Sequence, residues 1–227
     1  MRRLVVCGSP RALGRSAALA QAVCTALDRR HPEDQATLVK LADLHIGPCQ
    51  GCDACAQAAG APAAAPCVLD DDMGRFRALL DACDEFVLVS PVYFAGAPAQ
   101  LKCLLDRLQP YFWTDWKHTP KRPADLYVVG EGTDPHGFVP LVATVRSSLA
   151  VAGFRLQKVH DWVGLVSAEG RLPDGADPLS GGGVHPASAY RCDMPEEDSA
   201  LKGLVQNLPD SASDFGLDAP NLGASGL

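Results

Sequence analysis

The sequence predicts a single α/β domain in which helices cover both faces of a parallel sheet. Three observations lead to this fold class: five short apolar runs, helical apolar spacing in the segments between them, and clusters of Gly, Pro and Asp where one element changes to the next. Unbroken apolar runs are typical of strands buried on both faces. Because strands and helices alternate without an internal repeat, right-handed crossovers and a parallel sheet are expected.

The predicted elements follow in regular order along the chain. The five strands are placed at Leu4 to Cys7, Thr37 to Leu41, Glu85 to Ser90, Leu126 to Gly130 and Gln157 to Val163. Helices are predicted from a cap at Ser16 to about Arg29, from Met73 behind caps at Asp70 to Asp72, from about Pro98, from about Val139 to Gly153, and from Pro195. Five strands of a doubly wound sheet favour the flavodoxin-like strand order 2-1-3-4-5.

Two segments interrupt this alternation. Residues 42–72 form a cysteine-rich loop, and residues 164–194 form an irregular excursion that contains the glycine run Gly181 to Gly183. Long loops inside a compact domain are usually functional or disordered. We expect one domain over residues 1–208, followed by a loose C-terminal tail over residues 209–227.

Composition narrows the classes of function. The chain has 20 basic and 27 acidic residues and a formal net charge of −7, a balance that does not suit neutralisation of nucleic acid phosphates. No stretch approaches the roughly 20 apolar residues of a membrane-spanning helix. We therefore expect a cytoplasmic protein without nucleic acid or membrane partners. Nine cysteines in a chain without a signal peptide favour metal or redox chemistry over disulfides.

The first strand and the loop behind it, Leu4 to Ser16, are typical of a phosphate site at a helix start. Spacing excludes three versions of such a site. Five residues separate Gly8 from Gly14, which does not fit a P-loop, and Pro10 stands where a dinucleotide fingerprint needs its second glycine. A tyrosine phosphatase loop needs Arg six positions after Cys7, where this chain has Leu13. A mononucleotide loop of the flavin type remains.

Four colinear stretches carry a family resemblance: GSPRALGRS, the CxxCxxC segment leading into DDM, SPVYFAGAPAQLKCLLDR and the GEG loop. Together, over roughly residues 4–163, they resemble the NADPH-dependent FMN reductase family, and within it the iron-sulfur flavoprotein branch. The resemblance implies non-covalent FMN held by three loops. The phosphate maps onto Ser9, Arg11 and Ser16, the isoalloxazine ring onto Pro91, Val92, Tyr93, Phe94 and Gly96, and another side of the flavin onto Gly130, Glu131, Gly132 and Thr133.

Two interpretations stay open for each of three polar residues, Arg15, Asp106 and Arg107. Arg15 stands where family members often have Asn, and it either strengthens phosphate binding or is solvated. Asp106 and Arg107 are either a helix surface pair or functional. No catalytic side chain is expected, because a flavin supplies the chemistry in such sites.

Four cysteines form the second candidate site. Cys49, Cys52 and Cys55 follow one another at two-residue intervals, and Cys67 comes after eleven further residues. This pattern predicts a 4Fe-4S cluster, which the iron-sulfur flavoprotein resemblance supports, although the final spacing in that branch is typically shorter. Zinc bound by four thiolates is the main alternative, and a motif without metal is the third.

The resulting functional prediction is an FMN-dependent oxidoreductase. It would pass electrons between NAD(P)H, or a protein donor such as ferredoxin, and an acceptor, with a cluster as the second carrier. Two alternatives stay open: an electron-transfer protein without catalysis of its own, and a zinc-stapled flavodoxin-like binding protein. The resemblance further implies a homodimer or homotetramer.

Overall fold

A six-stranded sheet forms the centre of the computed structural model, which describes residues 1–61, 63–132 and 135–190. The strand order is β2-β1-β3-β4-β5-β6, with β1 to β5 parallel and β6 antiparallel to β5. The strands are β1 (Arg2–Cys7), β2 (Gln35–Lys40), β3 (Glu85–Pro91), β4 (Arg122–Val129), β5 (Phe154–Asp161) and β6 (Gly183–Pro186). The flavodoxin-like α/β fold is thus confirmed, and a sixth strand extends the predicted order.

Helices cover both faces of the sheet. They are α1 (Arg15–Arg30), α2 (Met73–Ala82), α3 (Ala99–Asp106), α4 (Gln109–Phe112) and α5 (Val139–Val151). On one face, Leu19 and Val23 of α1 belong to a buried cluster with Trp162. On the other, Phe76 of α2 and Leu101 of α3 share a larger cluster with buried residues of α5. The predicted apolar runs are buried between these two layers, which explains their lack of polar alternation.

The sixth strand lies in the segment predicted to be irregular. Gly183 pairs with Asp161 at the free edge of β5, and the preceding glycines pack on Trp162. A Cβ on Gly181 would lie 2.8 Å from the Trp162 ring, and Gly182 has a φ of 73°. The glycine run therefore lets the chain pass closely over the buried Trp162 indole. The sequence of this segment alone does not show that glycine is required there.

Two element boundaries differ from the sequence prediction. Helix α1 begins at Arg15 with Gly14 in the N-cap position, whereas Ser16 is buried in the first turn and does not act as the cap. Three parts of the chain lie outside the described residues: the helix predicted at residues 195–208, Cys192, and the tail predicted at 209–227. Among the helices that the structure describes, none has the length and apolarity to cross a membrane.

Candidate functional site

Three loops at the carboxyl ends of β1, β3 and β4 surround a cavity of about 770 Å³. This is the edge where open α/β sheets bind ligands. The structure brings ten of the predicted flavin-binding residues to its wall: Ser9, Arg11, Ser16, Pro91, Val92, Tyr93, Phe94, Gly130, Glu131 and Gly132. Gly96 is not among the lining residues, and Thr133 lies outside the described residues.

The loop after β1 and the start of α1 together line one part of the cavity. Ser9 is buried, and its Oγ accepts a hydrogen bond from the Arg11 amide at 3.1 Å, which fixes the turn. The first turn of α1 has no side-chain cap, and Gly14 reaches its N-cap position with a φ of 117°. Free amides at a helix start and the positive end of its dipole favour an anion. This end of the cavity is therefore suited to a phosphate.

Arg15 is not simply solvated, because its side chain pairs with two neighbouring segments. Its Nη1 donates to Glu131 Oε1 at 3.0 Å, and its Nε donates to the Val166 carbonyl at 3.1 Å. The side chain thus links the start of α1 to the loop after β4 and to the chain beyond β5. Arg15 and Glu131 both line the cavity, but in this arrangement they hold its loops together.

The loop after β3 presents two aromatic rings from a tight turn. Tyr93 and Gly96 exchange backbone hydrogen bonds of 3.0 and 2.9 Å, so Gly96 shapes the turn without reaching the cavity. Phe94 and Ala95 have positive φ values of 49° and 60°, a conformation that costs side-chain-bearing residues about 1 kcal/mol or more. Phe94 is fully exposed and Tyr93 is 38% exposed. A strained turn that displays two rings suits stacking against a planar ligand.

The structure adds cavity residues that sequence reasoning did not assign to the site. Val163 and Ala168 come from the chain beyond β5, and Phe138 comes from the start of α5. The sequence carries no signal for the first two, because they stand in or beside the segment predicted to be irregular. The further lining residues are Leu13, Gly14, Arg15, Val129, Pro135, His136 and Gly137.

A second cavity, of about 620 Å³, is lined by all four predicted metal ligands. Cys49 and Cys52 are exposed, whereas Cys55 and Cys67 are half-buried. Its other walls are the C-terminal ends of α3 and α5 and the aromatic rings of Phe112 and Trp116. The structure thus gathers Cys67 with the CxxCxxC cysteines despite the eleven intervening residues.

Comparison with known proteins places the chain in a family. A family model described as NADPH-dependent FMN reductase matches residues 1–164. The chain belongs to this family. An iron-sulfur flavoprotein of Methanocaldococcus jannaschii is 33% identical over 110 residues, covering 48% of this chain and 53% of the relative. One of Archaeoglobus fulgidus is 32% identical over 111 residues, covering 49% and 47%. The chain thus matches these relatives over about half of their length.

Solved structures share the fold of this FMN reductase family member at low sequence identity. An NAD(P)H:quinone oxidoreductase from Methanothermobacter marburgensis has a TM-score of 0.55 at 14% identity, covering 79% of this chain and 92% of that protein. RosB, solved with 8-demethyl-8-formylriboflavin-5′-phosphate, has a TM-score of 0.54 at 13% identity, covering 99% and 95%. Both support the flavodoxin-like architecture.

Thiol spacing tests which metal centre the cysteine cavity fits. Tetrahedral zinc with bonds of about 2.3 Å brings its sulfurs to roughly 3.8 Å from one another. Among the described residues, no three of the four thiols lie within 4.8 Å of one another. A cubane holds its cysteines further apart, because each binds a different iron. The described thiols of this FMN reductase family member are therefore not drawn together as a preformed tetrahedral zinc site requires.

The acidic run before α2 is not the simple helix cap that the sequence predicts. The Asp71 side chain is 7% exposed and forms a two-pronged ion pair with Arg107, with contacts of 2.8 and 3.0 Å. Arg107 is 1% exposed, so it is not a surface partner of Asp106. Asp72 stands at the N-cap position, but its Oδ2 accepts from the His45 amide at 2.7 Å instead of capping α2. Two of the three aspartates therefore tie down the cysteine loop.

Proposed function

We propose that this chain is an FMN-dependent oxidoreductase that passes electrons between NAD(P)H, or a protein donor, and an acceptor, with an iron–sulfur cluster in the cysteine cavity as a second carrier. The cavity at the carboxyl ends of β1, β3 and β4 is the observation that carries this proposal. It combines an uncapped helix start at one end with two exposed aromatic rings at the other. This is the chemistry that a phosphorylated, planar cofactor needs.

The phosphate of FMN would be held at the start of α1. Arg11, Ser16 and the start of α1 all line the cavity, so the backbone amides of the first turn, the Ser16 hydroxyl and the Arg11 guanidinium would supply the donors. Arg11 is exposed and can swing onto a phosphate as a charge-assisted donor. Arg15 is already engaged with Glu131 and would support the site by fixing the loop opposite.

The ring of FMN would lie between the loop after β3 and the loop after β4. Tyr93 and Phe94 offer ring faces, while Val92 and Val163 offer apolar walls that exclude water. When bound, FMN supplies hydride exchange with a nicotinamide and single-electron exchange with a cluster. The described residues would orient the ring and shield it from water, and the chemistry would come from the flavin.

Helix α3 runs from behind the loop after β3 to the wall of the cysteine cavity. It begins at Ala99, just behind the aromatic turn, and ends at Asp106, where Arg107 enters the wall of the cysteine cavity. Eight helical residues span about 12 Å at 1.5 Å per residue. One short helix with a buried face of Leu101, Leu104 and Leu105 therefore lies between the proposed flavin site and the proposed cluster site, and its short length supports electron exchange between them.

Binding measurements on the flavin-free chain test the cofactor. We expect FMN to bind more tightly than riboflavin, because the start of α1 contributes only when a phosphate is present. Arg11→Gln should weaken FMN binding about tenfold, the effect of losing one charge-assisted hydrogen bond of roughly 1.4 kcal/mol, and leave riboflavin binding unchanged. Arg29→Gln, at the exposed C-terminal end of the same helix, is the matched control. Equal affinity for FMN and riboflavin would contradict the phosphate site.

Anaerobic reduction tests the electron donor. Rapid bleaching of the flavin bands by NADPH supports the reductase. Bleaching by reduced ferredoxin alone would instead show an electron-transfer protein. Iron and acid-labile sulfide are measured on anaerobically prepared chain, and zinc without iron would contradict the proposed cluster.

A further inference from the structure

Arg107 is held in an unusual environment for a guanidinium. It follows the last residue of α3, and its side chain is 1% exposed. Nη1 donates to Asp71 Oδ2 at 2.8 Å and to the Gly47 carbonyl at 3.1 Å, and Nη2 donates to Asp71 Oδ1 at 3.0 Å. Planar two-pronged pairing of this kind fixes orientation as well as distance.

These contacts close the cysteine loop at both ends. Gly47 precedes Cys49 by two residues, and Asp71 follows Cys67 by four. Asp71 Oδ2 also accepts from the Gly47 amide at 3.0 Å, and its Oδ1 accepts from the Met73 amide at 3.0 Å. The Arg107 side chain, directly after α3, therefore fixes both the start of the loop near Gly47 and its return to α2 at Asp71.

One nitrogen of the Arg107 guanidinium group is left without a partner. Arg107 Nε is buried and has no hydrogen-bond partner in the described part of the chain. Arg107 and Cys67 line the same cavity. The Nε–H is thus a buried donor on a residue that shares this cavity with Cys67.

We propose that Arg107 is a positioning residue of the cysteine centre: it fixes Cys67 as the fourth ligand through Asp71 and Gly47, and donates its free Nε–H to the ligated Cys67 sulfur. This inference rests on the proposed iron–sulfur cluster. A buried N–H left without a partner costs about 1–3 kcal/mol, and a ligated thiolate is an acceptor that would satisfy it. Hydrogen bonds to the ligand sulfurs stabilise the reduced, more negative cluster and raise its reduction potential.

The test compares variants of the flavin-loaded chain after anaerobic reconstitution with iron and sulfide. Arg107→Gln should shift the cluster potential to a more negative value and at least halve the iron retained on gel filtration. Arg107→Lys keeps the charge without the planar fork, so its potential should lie between those of Arg107→Gln and the unmodified chain. Lys102→Gln removes an exposed cation from the same helix, one paired with Asp106 at 2.7 Å, and should change neither quantity.

A double-mutant cycle separates the action on Cys67 from general damage to the fold. If Arg107 acts through Cys67, adding Arg107→Gln to Cys67→Ser should produce no further shift in potential. An additive shift in potential would overturn the proposal. So would an Arg107→Gln variant whose cluster potential and iron content equal those of the unmodified chain. FMN affinity reports whether each variant is folded. If Arg107→Gln loses FMN affinity, Arg107→Lys replaces it in the double-mutant cycle.

The outcome for the unmodified chain distinguishes this inference from the proposed function. A reconstituted chain without iron and sulfide contradicts both the cluster and the role of Arg107. If the chain binds the cluster but Arg107→Gln does not change the cluster potential, only the role of Arg107 is contradicted.

Discussion

Asp71 shows how one buried carboxylate gives the molecule a pH dependence. Burial opposes its ionisation, but hydrogen bonds from Arg107 and from the Gly47 and Met73 amides outweigh this and lower the pKa of Asp71. A carboxyl whose pKa is lower in the folded state stabilises that state above its unfolded pKa, near 3.9. This stability is lost as the pH falls through the lower, folded pKa of Asp71.

We expect Asp71→Asn to lower the free energy of unfolding at pH 7 by about 3–5 kcal/mol, because it leaves the Arg107 guanidinium buried without its counter-charge. Urea denaturation at pH 7 and at pH 3 measures the effect, and the difference between variant and parent should shrink at the lower pH. Asp106→Asn breaks an exposed pair on α3 and should cost at most about 0.5 kcal/mol. Equal losses of unfolding free energy in the two variants would contradict a stabilising buried ion pair between Asp71 and Arg107.

At the scale of elements, the start of α1 depends on backbone conformation at one glycine. Gly14 has a φ of 117°, and a Cβ there would meet no atom within 4 Å. Any effect of a side chain at this position must therefore come from backbone strain. Gly74 in α2 is also open to a Cβ but has an ordinary helical conformation, which makes it a matched control.

Gly14→Ala should lower the free energy of unfolding by about 1–2 kcal/mol and weaken FMN binding, because the first amides of α1 would be re-aimed. Gly74→Ala should instead raise stability by roughly 0.5–1 kcal/mol with no change in FMN affinity. Thermal denaturation and flavin titration of both variants provide the measurement. A stabilising Gly14→Ala would refute the conformational requirement.

The sequence predicts the elements whose pattern is local and misses those that depend on tertiary contacts. The strands at Leu4 and Glu85 are continuous apolar runs, so their burial is visible in the chain itself. Strand β6 is short and exposed, with Val184 41% exposed, and only the free edge of β5 makes it a strand. The role of Asp71 was missed for the same reason, since its partner Arg107 lies 36 residues away. A cap and a buried ion pair look alike in sequence.

At the scale of the whole molecule, the two cavities are separate. Among the described residues, no residue lines both the flavin cavity and the cysteine cavity. The flavin cavity depends on the carboxyl ends of the strands, whereas the cysteine cavity depends on the loop between β2 and α2 and on the ends of α3 and α5. Loss of one site is therefore not expected to remove the other.

Simultaneous replacement of Cys49, Cys52, Cys55 and Cys67 by Ser should abolish iron binding and leave the FMN dissociation constant within about threefold, because none of these residues touches the flavin cavity. Iron analysis and flavin fluorescence titration check this. A loss of flavin affinity much greater than threefold would show that the sites are coupled. Light scattering of the same samples tests the expected homodimer or homotetramer, which stays a prediction.

The closure of the cysteine loop by Arg107 has a consequence for how the length of that loop can vary. With Gly47 and Asp71 pinned together, residues between them form a closed loop whose entropy grows only with the logarithm of its length. Doubling such a loop costs about 0.6 kcal/mol. The Ala- and Pro-rich stretch before Cys67 can therefore be lengthened or shortened at little cost to folding, while the ends that present the outermost cysteines stay in place.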